Sequence, residues 1–286
     1  MSVKKCFTDF HIDFGGTSVW YHLLYGEKEF YFIPPTEHNL KAFEKWTKKK
    51  DQYNVLFSDL VDSCYRTVLR KGQTMFIPAG WIHAVYTVED SLVFGGNFLH
   101  DFAISMQFSI AELEKRIGVD KDCYYPNFEA TNCYAALKLM KLVQERKVNK
   151  LIVDGFCNLA QKLYGWSKNH ILEQIFSSVV EDLKTFLTEV MAAAQLLKGL
   201  EKIEELDNNN KNNSNDSKNI KSNIKVDLLI TPLSGSRRKP SDLYASKHVP
   251  AALILPSSEP IRKFSGKRNT LIGRLKKLNS LHRRWL

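Results

Sequence analysis

Between Phe10 and Phe108, apolar and polar residues alternate in short runs. The pattern predicts strands over residues 10–14, 19–24, 30–33, 65–69, 75–78, 83–88, 92–94 and 103–108. Gly15-Gly16, Gly26, Lys71-Gly72, Ala79-Gly80, Glu89-Asp90 and Gly95-Gly96 separate these runs as turns. Many closely spaced strands predict a sandwich or barrel. One interruption, over residues 38–59, sets Leu40, Phe43, Glu44 and Trp46 at helical spacing and ends in Lys48, Lys49 and Lys50.

After Phe108 the period changes. Residues 109–117 begin a helical region, residues 129–146 continue it with Tyr134, Leu137 and Leu142, and residues 169–206 carry a broad apolar face through Leu172, Phe176, Val180, Leu183 and Leu187. Such a face suits helix packing or dimerisation. From residue 207 to 225, eight of 19 residues are asparagine, a composition that buries too little apolar surface to fold. The expected organisation is a strand domain over residues 1–117, a helical region over 118–206 packing on it, a linker over 207–225, and a disordered tail over 226–286.

The chain's 286 residues accommodate one large domain with appendages. Its net charge of +10 is uneven: residues 234–286 hold 13 Lys or Arg against Asp242 and Glu259, a local balance of +11 against −1 for the remainder. Clusters such as Arg237-Arg238-Lys239 and Arg283-Arg284 suit phosphate attraction or reading by an import receptor. No apolar stretch approaches the roughly 20 residues that a bilayer crossing requires, and the first residues offer no secretory signal. Five cysteines without a Cys-x-x-Cys pair suggest neither a disulfide framework nor a thiolate zinc site, and point to a reducing compartment.

The chemistry concentrates in a few positions. In a strand, residues two apart share a face, so His11 and Asp13 of Phe-His-Ile-Asp-Phe set an imidazole beside a carboxylate. A second histidine from a neighbouring strand, for which His83 is the candidate, completes a two-histidine, one-carboxylate site of the kind non-haem Fe(II) oxygenases use. Alone, the triplet His-x-Asp is weak evidence. Lys28 rises from the Gly26 turn; inside a barrel it would need an anion, and outside it would be an ordinary surface lysine.

With these residues in view, Thr8-Asp-Phe-His-Ile-Asp-Phe-Gly-Gly-Thr-Ser-Val-Trp-Tyr-His22, Gly26-Glu-Lys28, Gly72-Gln-Thr-Met-Phe-Ile-Pro-Ala-Gly-Trp-Ile-His-Ala84 and Phe94-Gly-Gly-Asn-Phe-Leu-His100 resemble Jumonji C histone lysine demethylases. Within that family the likeness is greatest to the plant-homeodomain-finger subgroup, to which Pro126-Asn-Phe-Glu129 also points. It covers residues 1–168. The resemblance implies a double-stranded β-helix, a jelly-roll barrel of cupin type, followed by helices. It implies Fe(II) held by His11, Asp13 and His83, 2-oxoglutarate held by Thr8, Tyr21 and Lys28, and Asn97 supporting the metal site. Thr8 and His11 have opposite parity, so both face the pocket only across a bend or bulge. Trp20, Trp81, Phe14 and Phe76 are expected as barrel walls, and His22 and His100 as structural groups.

The implied reaction consumes 2-oxoglutarate and O₂, hydroxylates a lysine N-methyl group and releases formaldehyde. The implied substrate is a mono- or dimethylated lysine of the histone H3 tail, the implied location the nucleus, and the basic tail is expected to meet DNA. Only seven residues precede Thr8, so the chain is expected to begin inside the domain, leaving an unpaired sheet edge. A non-catalytic chromatin-binding scaffold and a protein hydroxylase of the same cofactor chemistry are the other readings.

Overall fold

The computed structural model describes residues 1–50, 52–168, 173, 175, 180 and 182–213. They divide into two compact units, the first Met1–Pro126 and the second beginning at Asn127.

Seven strands build the first unit: β1 Phe7–His11, β2 Ser18–Tyr25, β3 Glu27–Ile33, β4 Tyr65–Arg70, β5 Thr74–Ile77, β6 Ile82–Thr87 and β7 Leu92–Phe98. They form two antiparallel sheets, one ordered β1-β6-β3-β4 and the other β5-β2-β7. Strand alternation gives each sheet an inner face, and Val19, Leu23 and Ile77 of one pack with Phe30, Leu69 and Val85 of the other. This is the two-layered sandwich that the strand pattern predicts, and it agrees with the jelly roll that the resemblance implies. Gly26, at φ 93°, turns β2 into β3, and a Cβ there would lie 2.3 Å from the Asp90 carbonyl oxygen.

The opposite face of the larger sheet is covered by helices. Helix α1, Glu37–Thr47, is capped by Thr36, whose side chain accepts from the Asn39 amide. Its Phe43 and Trp46 join Phe57, Tyr31, Ile33, Ile82 and Phe10 in one cluster, together with Ile110 and Leu113 of α2, Ile104–Ile117. The Trp46 indole donates to the Val55 carbonyl at 2.9 Å, so its one polar atom is satisfied in this dry layer.

The second unit is helical. Helices α3 Phe128–Gln144, α4 Val153–Ser167 and α5 Leu183–Asn213 bury Ala136, Leu139 and Met140, Phe156, Leu159 and Leu163, and Phe186, Val190 and Ala193 respectively. The Cys157 thiol donates to the Ala194 carbonyl oxygen at 3.4 Å, tying α4 to α5.

Five expectations change here. Residues 103–108 are not a strand but the opening of α2, because Ile104, Gln107, Phe108 and Ile110 are buried at helical rather than alternating spacing. Gly95-Gly96 is not a turn but the middle of β7, where missing side chains let β2 approach; a Cβ at Gly96 would meet the Trp20 indole nitrogen at 2.7 Å. The first strand ends at His11, so Asp13 stands on the connection that follows it. The first unit reaches Pro126, past residue 117, as Tyr125 sets its ring 5.9 Å from that of Phe14. Helix α5 continues to Asn213, into the asparagine-rich segment, since extending a formed helix gains a hydrogen bond per residue fixed. Residues 214–286, with the expected tail, lie outside the described residues, as does most of 169–181.

Candidate metal centre

β1 is the strand that must aim the site, and its pairing with β6 is irregular. Thr8 pairs with Val85 and His11 with His83, so three steps along β1 match two along β6. The extra residue is a β-bulge, the irregularity that parity requires for Thr8 and His11 to share a face. The Phe10 amide is met by the Asp9 carboxylate at 2.8 Å. Phe10 then points into the helix-covered layer while His11 points between the sheets.

Cross-strand partners stand on the same face. His83 pairs with His11 on one side and Phe32 on the other, Val85 with Thr8 and Phe30, and Thr87 with Lys28. One inner face therefore carries Thr8, His11, Lys28 and His83. Tyr21 arrives from the other sheet and meets Phe30 edge-on at 5.2 Å. Asp13, on its turn, completes the group.

His11, Asp13 and His83 each bring one ligand atom to within 4.8 Å of the others. The imidazole rings lie 4.2 Å apart, and His83 Nε2 is 3.8 Å from Asp13 Oδ2. His11 Nδ1 is 2.8 Å from the Asp9 carbonyl oxygen and His83 Nδ1 is 3.1 Å from that of Trp81. Each Nδ1 is thereby placed to donate, leaving Nε2 as the lone-pair donor, the arrangement of metal-binding histidines. Burial, then the nearby His11 ring, pushes His83 down to about 3, so it is neutral and ready to ligate. Burial raises the Asp13 carboxyl, opposed by His11 and by a hydrogen bond from Asn97. Two nitrogens and one carboxylate oxygen gathered in this way fit a divalent first-row metal.

Lys28, only 5% exposed, donates to the hydroxyls of Ser2 at 2.7 Å and Thr87 at 2.9 Å. Burial lowers its pKa, with Cys6 acting in the opposite direction. Two of three ammonium hydrogens are thus held by neutral groups, which suits an anionic ligand for the third. Burial raises the Tyr21 phenol to about 12, keeping it a donor.

A model described as "JmjC domain, hydroxylase" matches residues 1–98, and one for the Jumonji helical domain matches residues 102–204. The chain carries a JmjC domain followed by a Jumonji helical domain. Lysine-specific demethylase 7B of Danio rerio is 43% identical over 216 residues, which is 73% of this chain and 36% of that protein. Histone lysine demethylase PHF8 of the same fish is 42% identical over 207 residues, 71% of this chain and 19% of that protein. Lysine-specific demethylase 2B of Mus musculus is 51% identical over 146 residues, 51% of this chain and 11% of that protein. The JmjC chain thus spans between about a tenth and about a third of these relatives' lengths.

Within the JmjC domain, Trp81 lines the interior, edge-on to Phe32 at 6.2 Å. Trp20 and Phe76, expected as walls, instead lie exposed on the outer face of the smaller sheet, because they alternate with inward Val19 and Ile77. Phe14 is likewise partly exposed. His22 bonds Thr74 at 2.8 Å and His100 bonds Ser18 at 3.0 Å, as structural groups do. Ser2 and Thr87, partners of Lys28, have no signal in the sequence, since a lone hydroxyl residue carries no spacing.

Proposed function

We propose that this chain is an Fe(II)- and 2-oxoglutarate-dependent lysine demethylase that acts on mono- or dimethylated lysine of histone H3 in the nucleus. The observation that carries the reading is the convergence of His11, Asp13 and His83 on the sheet face that also holds the buried Lys28. The demethylase names of the relatives support it.

His11, Asp13 and His83 would hold the iron through two imidazole nitrogens and one carboxylate oxygen. Bound there, iron supplies O₂ activation coupled to decarboxylation of the 2-oxoacid. Lys28 binds the far carboxylate of 2-oxoglutarate, with Thr8 and Tyr21 adding hydroxyl contacts, so that a dicarboxylate is selected. Asn97 bonds the Asp13 carboxylate and, through Nδ2, the Thr17 hydroxyl at 2.9 Å, fixing the ligand's rotamer. Phe30, Phe32 and Trp81 give the interior apolar walls that limit water. The balance is one N-methyl group, 2-oxoglutarate and O₂ consumed, and formaldehyde, the demethylated amine, succinate and CO₂ formed. The local charge of +11 over residues 234–286 supports contact with DNA phosphates rather than with the basic substrate.

Mass spectrometry of mono- and dimethylated H3 peptides, incubated with the chain, Fe(II), ascorbate and 2-oxoglutarate beside a His11→Ala control, tests this. Loss of a methyl group in the wild type alone is expected. A retained oxygen atom would make the chain a protein hydroxylase, and an unchanged peptide with folded, iron-loaded chain would leave it a scaffold.

A further inference from the structure

Two of the three proposed metal ligands stand on paired strands, but Asp13 does not. It precedes the turn Phe14–Gly16, which no sheet ladder holds. Gly15 and Gly16 both have left-handed backbones, with φ of 61° and 62°. The turn's own bonds are short-range: the Gly16 amide donates to the Asp13 carbonyl at 3.1 Å and the Thr17 amide to that of Phe14 at 3.2 Å.

What lies against this turn is α2. A Cβ on Gly16 would be 2.9 Å from Gln107 Cα and 3.0 Å from Ile110 Cβ, so turn and helix touch backbone to backbone. One turn further along the helix, Glu114 is only 8% exposed although it is a carboxylate. Its Oε1 accepts from the Gly15 amide at 2.7 Å, across 99 residues of sequence. A buried acceptor aimed at a turn amide fixes that turn more firmly than packing does, since losing the partner leaves a donor unsatisfied.

We infer that Glu114 is a positioning residue for the metal site: through the Gly15 amide it holds the turn that sets Asp13 against His11 and His83. Its carboxylate is not among the groups gathered at the candidate metal centre, and its hydrogen-bond partner is the Gly15 amide. The inference rests on the metal-site reading above, and its test separates the two.

Calorimetric titration of the full chain with Co(II), with the visible Co(II) spectrum as a second readout, gives the comparison. Glu114→Met keeps the volume and removes the acceptor, and Glu114→Asp keeps the charge but withdraws it by one methylene. Both are expected to weaken Co(II) binding about 10- to 100-fold, the range for groups that orient metal ligands, and to alter the spectrum. Glu114→Gln, which retains an acceptor oxygen, should stay within about threefold of wild type. Wild-type Co(II) affinity in folded Glu114→Met or Glu114→Asp would overturn the inference. So would failure of both to fold, which would assign Glu114 to the fold at large. A wild type that binds no Co(II), or binds it equally after His11→Ala, would instead defeat the metal-site reading itself.

Discussion

Of the proposed ligands, His83 is the one whose protonation the fold controls most tightly, being 3% exposed with an imidazole pushed down to about 3. A base whose folded pKa is depressed contributes stability above its ordinary value of 6.5, and loses it as pH falls toward the folded one. Between pH 6.5 and 5 the metal-free chain should therefore lose about 2 kcal/mol through this residue. Urea denaturation at the two pH values, in wild type and His83→Asn, measures it; an equal loss in both would reject the assignment. Lys28, buried in the same way, shows the same physics in the binding role proposed for it. Replacing it by methionine should raise the KM for 2-oxoglutarate roughly 10- to 100-fold, the worth of a charge-assisted hydrogen bond, while Co(II) affinity holds. Initial rates against cosubstrate concentration decide the point.

The elements that hold these residues draw their stability from the layer behind the larger sheet. Trp46 is 1% exposed and Phe57 fully buried, so Trp46→Ala should cost about 3–5 kcal/mol, read from the denaturation midpoint. Gly26→Ala should cost more than about 1 kcal/mol, as both its φ and the Asp90 carbonyl oppose a side chain; a variant as stable as wild type would show that the β2–β3 turn can relax. Five of the seven strands, β2 to β6, were legible from alternation and glycine punctuation alone, because each shows one face to an apolar layer, whereas β1 was read three residues late. β7 was read short, since its paired glycines look like a turn until β2 is seen to need the space. The strand expected at residues 103–108 failed because Ile-Ser-Met-Gln-Phe fits a strand and a helix over so short a window, and only the burial of Gln107 separates them. The juxtaposition of His11, Asp13 and His83 was legible because metal chemistry demands particular side chains. Glu114 was not, since its partner is a backbone amide that any sequence possesses.

At the scale of the molecule, β7 pairs with β2 alone among the described residues, and the sheet it ends shows Trp20, Phe76 and Phe94 outward, Phe94 being 57% exposed. An edge carrying no Lys, Glu or Pro invites pairing. Sedimentation velocity over a concentration series should show self-association that Phe94→Lys reduces; unchanged behaviour would mean that this face is protected. Removal of residues 226–286 takes the basic excess with it, and should abolish salt-dependent DNA binding, whose logarithmic slope scales as about −0.9 per phosphate contact. Retained binding with the same slope would place the contact elsewhere.

The bulge in β1 also governs which changes of chain length the molecule tolerates. An inserted or deleted residue in a strand ordinarily turns every side chain beyond it to the other face. β1 already holds one residue more than β6 requires, so deleting Asp9 would leave Thr8 inward, Phe10 outward and His11 inward. Such a shortened protein would keep every facing and lose only aim, because the His11 ring would give up the Asp9 carbonyl now 2.8 Å from its Nδ1. Orientation and direction, fused in most strands, are separable mutations in this one.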